Sequence, residues 1–245
     1  MTYFRFHLVF TLPLMTVLLV LTYGFWREAE VAGAALLVLV PVMLFTTPWD
    51  NYAARHGIWG FPEGRFWRKI GFLPVEEYLF FIIQSVMAMA LTLLWVNLAP
   101  ERASAIWDDV FRQNRMLFCA GLMVVWLVGG LALGSSMRRR AGGKWHYAWH
   151  LLYWFVPLIL IQWLLAGDVL VPRWDILLGV TLLLGSYLSW ADWMAIKRGI
   201  WIFDHRQTTG WAFGGKMPWE EAAFFYLTSL LVSQSLLMLL PEVAR

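Results

Sequence analysis

Apolar runs of about 17–23 residues recur seven times along the chain, near 6–23, 30–47, 75–97, 116–134, 148–166, 174–191 and 219–240. Each is long enough for an α-helix to cross a hydrocarbon core ~30 Å thick. Composition points the same way. Hydrophobic residues make up 60% of the chain and charged ones 14%, where a soluble domain carries about 25% charged. In water such a surface would leave large apolar patches exposed, and a bilayer buries them. The first run follows Arg5 and precedes small residues at Ala32, Ala34 and Ala35, as in a signal peptide, but the repeat described next argues for its retention.

Charge follows the spans. Nearly all of the 19 Lys and Arg fall between apolar runs, so the net charge of +3 is a loop property and gives no argument for nucleic acid as a partner. With the N-terminus in the cytoplasm, six of them (Arg27, Arg102, Arg112, Arg115, Arg173 and Arg245) lie on the far side and the other thirteen inside. The positive-inside rule therefore predicts a multi-pass protein of the cell membrane with its N-terminus cytoplasmic and its C-terminus opposite. The single cysteine, Cys119, forms no intramolecular disulfide.

The chain also repeats itself. Residues 50–61 read DNYAARHGIWGF and 192–203 read DWMAIKRGIWIF, both D-x-x-A-x-x-x-G-I-W-x-F. Further on, LPVEEYLFF at 73–81 matches MPWEEAAFF at 217–225 as P-x-E-E-x-x-F-F. Span 1 maps onto span 5 and span 2 onto span 6 at an offset close to 142, with His7 and His150 opening the first spans and Pro13 and Pro157 following. The prediction is an all-α integral membrane protein of seven transmembrane helices, arranged as two parallel three-helix repeats joined by a connector helix. Residues 1–100 form the first repeat, 101–143 the connector with span 4, and 144–245 the second repeat. An odd connector restores orientation, so both Asp-to-Pro-x-Glu-Glu segments fall on one side of the membrane, related by an axis along its normal.

A single Pro-x-Glu-Glu is an ordinary helix start, with Pro in the first turn and acids complementing the helix dipole. Two copies with the same Phe pair, placed at the edge of membrane spans where carboxylates are costly, favour a functional reading. Glu76 and Phe80 share a helix face, as do Glu77 and Phe81, Glu220 and Phe224, and Glu221 and Phe225. Apolar surroundings disfavour the charged form of a carboxyl group and fit it to donate a proton, while an aromatic face attracts a cation. Together they suit carbocation chemistry on a hydrocarbon. Adjacent glutamates lie about 100° apart around a helix, so one of each pair is expected to face the site. Asp50 and Asp192 are each expected to begin a loop after a span, and Gly57 and Gly199 to allow a tight turn. Trp59 and Trp201 are candidates for a substrate groove, although tryptophan also populates membrane interfaces. His146 and His150 stand at i, i+4 with no third ligand at suitable spacing, so no metal is expected.

The doubled Asp loop and Pro-x-Glu-Glu together resemble the membrane-integral lycopene cyclases: the heterodimeric cyclases of Gram-positive bacteria and the fused archaeal and fungal cyclase domains. The resemblance covers nearly the whole chain and is strongest at 46–85 and 188–229. It implies that each half corresponds to one small subunit of the heterodimers, fused here by span 4. It also implies conversion of lycopene end groups to β-ionone rings, towards β-carotene, by protonation, cyclisation and deprotonation. A glutamate among Glu76, Glu77, Glu220 and Glu221 would be the general acid, and another carboxylate, Asp50 or Asp192, would receive the proton. Phe80, Phe81, Phe224 and Phe225 would stabilise the cations. Partners are then the lipid bilayer and a carotenoid substrate reached laterally between the halves, and the reading is compatible with a homo-oligomer or association with other carotenoid enzymes.

Alternatives remain. The motif does not separate β- from ε-ring formation or from cyclases of C50 or other terpenoid substrates. Two repeats with carboxylates at the membrane edge also suit a proton-coupled transporter, although spans 3 and 7 are apolar inside. A retinal protein would need a lysine in mid-span, whereas Lys69, Lys144, Lys197 and Lys216 fall in loops or at helix starts. No dinucleotide fingerprint is present, and no cofactor is expected. Purified protein should therefore cyclise lycopene without added flavin or nicotinamide. Strict dependence of turnover on either would overturn that expectation.

Overall fold

The computed structural model describes residues 1–99, 106–138 and 143–241. Among them, seven helices are long and apolar enough to cross a membrane. They are α1 (Tyr3–Leu21), α2 (Ala29–Arg55), α3 (Val75–Leu98), α4 (Ile106–Arg138), α5 (His146–Leu170), α6 (Trp174–Lys197) and α7 (Trp219–Leu239). Helices are what the apolar runs dictate, because lipid offers no partners and each backbone N–H and C=O must bond within its own segment. The domain boundary drawn between residues 100 and 101 lies outside the described residues, as do Arg102, Arg139, Arg140 and Arg245 of the charge tally.

α3 and α7 form the centre. About 61% of the α3 span and 56% of the α7 span is buried, against 6% for α4, which leans on α5 at the periphery. Polar side chains fasten the central pair: Gln84 Nε2 donates to Thr228 Oγ1, and Thr92 Oγ1 to Ser233 Oγ at 2.9 Å. Such hydrogen bonds hold helices together where apolar burial supplies no drive between them. α1 contains a π-helical stretch, His7–Thr11, across which His7 Nδ1 meets Thr11 Oγ1 at 2.9 Å.

Asp50 and Asp192 do not begin loops, as the sequence had suggested. Both lie inside helices, in the closing turns of α2 and α6. Hydropathy ends at a buried acid, but the helix does not, because the carboxyl turns inward and is bonded there.

The helix ends explain the rest of the D-x-x-A-x-x-x-G-I motif. Gly57 and Gly199 sit at φ +67° and +63°, two residues after α2 and α6 end. In each case the amide of the next isoleucine returns to an alanine carbonyl: Ile58 N to Ala53 O at 3.0 Å and Ile200 N to Ala195 O at 3.1 Å. This is a Schellman cap, in which glycine takes the left-handed position and the flanking Ala and Ile side chains close over it. All four of those side chains are fully buried.

The chain then returns through loops that pair with each other. β1 (Trp59–Gly60) joins β4 (Ile202–Phe203) antiparallel, with Trp59 opposite Phe203 and Gly60 opposite Ile202. Each is followed by a hairpin, β2 (Lys69–Ile70) with β3 (Leu73–Pro74) after β1, and β5 (Ala212–Phe213) with β6 (Met217–Pro218) after β4. Gln207 ties the loops further, its Nε2 donating to the carbonyls of His56 at 3.1 Å and Gly57 at 3.0 Å. Pro74 and Pro218 then cap α3 and α7.

Gly199→Ala isolates the backbone requirement, since nothing lies within 4 Å of the added Cβ. It should destabilise the protein by about 1–2 kcal/mol, the cost of a left-handed alanine, read as a lower thermal unfolding midpoint in detergent.

Candidate active site

Each closing or opening turn delivers one side chain to a common point. α2 and α6 bring Asp50 and Asp192 by their last turns, and α3 and α7 bring Glu77 and Glu221 by their first. The four carboxyl groups line one cavity of ≈ 30 Å³, roughly the room one or two waters need. Aromatic side chains complete its wall, with Phe80, Phe81, Phe224 and Phe225 from the central helices and Trp59 and Trp201 from the returning loops. Trp49 belongs there too, stacked on Phe224 with ring centroids 5.1 Å apart.

The glutamates divide their work as the helical angle requires. Glu76 and Glu220 are buried but do not line the cavity. Glu76 Oε1 accepts from the Trp67 amide at 2.9 Å and Glu220 Oε1 from the Thr209 amide at 2.7 Å, so each pins the loop that precedes its own helix. Glu77 and Glu221 face inward instead. The other ten sequence candidates besides Glu76 and Glu220 all reach the cavity wall.

Two tyrosines complete the carboxyl set, and the sequence reading missed both. Tyr3 Oη donates to Glu77 Oε2 at 2.7 Å, and Tyr147 Oη to Glu221 Oε2 at 2.5 Å. A signal was present. Tyr3 and Tyr147 are 144 residues apart, the spacing that separates Glu77 from Glu221. Anchoring the first spans on His7 and His150 hid it, because those histidines are placed differently: His7 Nε2 meets the Glu76 carbonyl at 3.0 Å and His150 Nε2 the Trp49 carbonyl at 3.0 Å. His146 is held by Gln207 Oε1 at 2.8 Å and the Tyr52 hydroxyl at 3.3 Å.

Aspartate and glutamate meet inside the cavity. Trp59 Nε1 donates to Asp50 Oδ1 at 2.8 Å, and Trp201 is the hydrogen-bonding neighbour of Asp192. Asp50 Oδ2 has no hydrogen-bond partner, and Asp50 and Glu77 line the same cavity wall. The loop acid Asp204 makes a contrast. It lies at the surface, where Arg206 holds its carboxyl below the usual carboxylate range.

No family model matches the chain, and no solved structure matches it. Curated proteins do. A lycopene β-cyclase of Halobacterium salinarum is 33% identical over 218 residues, which span 89% of this chain and 86% of that protein. Bifunctional lycopene cyclase/phytoene synthases are 28% identical over 232 residues in Phycomyces blakesleeanus and 29% over 231 residues in Blakeslea trispora. Each of those matches covers 93% of this chain but 37% of the fungal protein. Lycopene cyclase is what the archaeal and fungal names share, and by similarity across nearly its full length to the archaeal protein this chain belongs to the lycopene cyclase family.

Proposed function

We propose that this chain is a lycopene β-cyclase, an isomerase of the membrane that closes linear carotenoid ends into β-rings. The carrying observation is the small cavity in which four carboxyl groups face aromatic rings and little else. The β-ring follows the name of the archaeal relative.

The reaction needs a proton donor, a cation-tolerant wall and a proton acceptor. A carboxylic acid protonates C2 of the terminal C1=C2 double bond and leaves a tertiary cation at C1. The C5=C6 π-electrons then attack C1, so that the C1–C6 bond closes a six-membered ring and the cation moves to C5. Loss of the C6 proton to a carboxylate forms the C5=C6 double bond and restores neutrality. Nothing is oxidised or reduced overall.

Glu77 and Glu221 serve as the acids, because the tyrosine hydroxyls fix their orientation and their oxygens line the cavity. Asp50 and Glu77 stand in the same cavity wall, where a protonated carboxyl of one can donate to the other. Asp50 and Asp192 are the natural proton acceptors, each steadied by an indole N–H. Phe80, Phe81, Phe224 and Phe225 offer ring faces to the cation at C1 and then C5. Glu76 and Glu220 position the loops rather than react.

The repeat supports a shared site. Gly60 and Ile202 are counterparts at the 142-residue offset, and they pair with each other across β1 and β4. Gln84 and Thr228 are counterparts at 144, and they bond to each other. Residues that meet their own counterparts lie on a two-fold axis, which fits parallel three-helix repeats at 1–100 and 144–245 around a connector. With the N-terminus cytoplasmic, the cavity lies at the cytoplasmic end of the spans.

Expression in bacteria that accumulate lycopene, followed by chromatography of the pigments, tests the assignment. Cyclic carotenoid is expected, and unchanged lycopene with the protein present in the membrane would sink it. Glu77→Gln and Glu221→Gln should each lower conversion by about 10²-fold or more, the usual scale of a lost acid–base group. Tyr3→Phe and Tyr147→Phe should leave the protein folded and lower turnover by about tenfold, the loss of one hydrogen bond to a carboxyl group.

A further inference from the structure

The two halves carry the same carboxyl set but do not offer the same way in. A groove of ≈ 590 Å³ runs between α2, α3, α5 and α7. Phe81 and Phe224 line both this groove and the carboxyl cavity, so the two spaces share a wall. At the other end the groove is rimmed by Leu37 and Leu239, which are exposed on the lipid-facing surface. From Phe224 to Leu239, α7 rises roughly 22 Å alongside it.

The counterpart position in the other half is filled. The repeat offsets carry Leu37 to Gly179 and Leu239 back to Trp95. There the Trp95 indole lies directly on Gly179, so close that a Cβ at residue 179 would collide with the ring. Trp95 joins Leu177, Val180 and Leu237 in a separate apolar cluster. A Leu–Leu pair that rims a groove in one half has become a Gly–Trp pair that plugs it in the other.

We propose that the polyene tail of the substrate lies in the α2–α7 groove alone, so that the enzyme closes one end group per visit. A two-ring product then requires release of the one-ring carotenoid, reversal in the bilayer and rebinding by the other end. The occupant is a linear hydrocarbon because the groove is lined mainly by apolar side chains, opens to lipid and ends at the aromatic wall of the acid cavity. This rests on reading that cavity as the cyclisation site. Phe81 and Phe224 are the side chains that must move to admit an end group, since the cavity itself holds only ≈ 30 Å³.

The test transplants the plug. The double variant Leu37→Gly, Leu239→Trp, in full-length protein reconstituted in phospholipid nanodiscs, should lower kcat/KM for lycopene by about tenfold or more. Leu183→Trp, on the lipid face of α6, should leave it unchanged. Unaltered thermal unfolding of the double variant shows that it has folded. In the unmodified protein, a pulse of isotope-labelled lycopene chased with unlabelled lycopene should give free labelled one-ring product before any labelled two-ring product. Wild-type kcat/KM in the folded double variant, as when the groove holds only lipid chains, would overturn the proposal. So would two-ring product formed with no free one-ring stage. Glu77→Gln and Glu221→Gln keep the two readings apart. If both retain turnover, the cavity assignment fails; if they lose it while the plugged variant does not, one-sided access alone fails.

Discussion

Four carboxyl groups held away from water make a demanding centre for a membrane protein, and much of the structure is arranged around them. An isolated charge in such surroundings costs several kcal/mol even after the protein relaxes. The protein answers with donors aimed at the acids: phenol hydroxyls on Glu77 and Glu221, an indole on Asp50 and backbone amides on Glu76 and Glu220. The indole and the amides come from the adjoining loops, and the two phenols from α1 and α5, 74 residues away. The acids therefore fix how the loops return and how α1 and α5 dock against the central helices.

That arrangement also separates two jobs within one dipeptide. In Glu76-Glu77 and Glu220-Glu221 the first acid bonds a backbone amide and the second faces the cavity. A helix rotates by about 100° per residue, so neighbours cannot share one target. One acid pins the loop that carries Trp59 or Trp201 back over the site, and the other is left facing the cavity. The same economy appears in the Asp motif, where the Ala, Gly and Ile positions close the helix and the Trp completes the acid's bonding.

The doubled motifs supply two such sets, and the surroundings of the two differ away from the loops. Near the loops, counterparts still pair with counterparts, as at Gly60 with Ile202. Towards the far ends of the spans the match fails, and Trp95 occupies space that Leu37 and Leu239 leave open. A substrate that is itself an apolar chain asks for no polar recognition along its length. Specificity then rests on the shape of one groove and on where the acids stand at its end.

Span number, helical class, the doubled motifs and ten of the twelve candidate cavity residues were legible in the sequence. Hydropathy fixes spans because lipid leaves the backbone no alternative, and two motifs that each repeat without a gap show which residues correspond. The reading faltered where partners are remote. It ended α2 and α6 before their acids, since hydropathy registers polarity but not the direction a side chain takes. It passed over Tyr3 and Tyr147, which a strict 144-residue offset would have matched, because nothing local marks a tyrosine as a carboxyl's partner. Only the tertiary structure decided which glutamate of each pair faces inward and which groove stays open, because both depend on helix rotation and on side chains that meet from segments 74 and 84 residues apart.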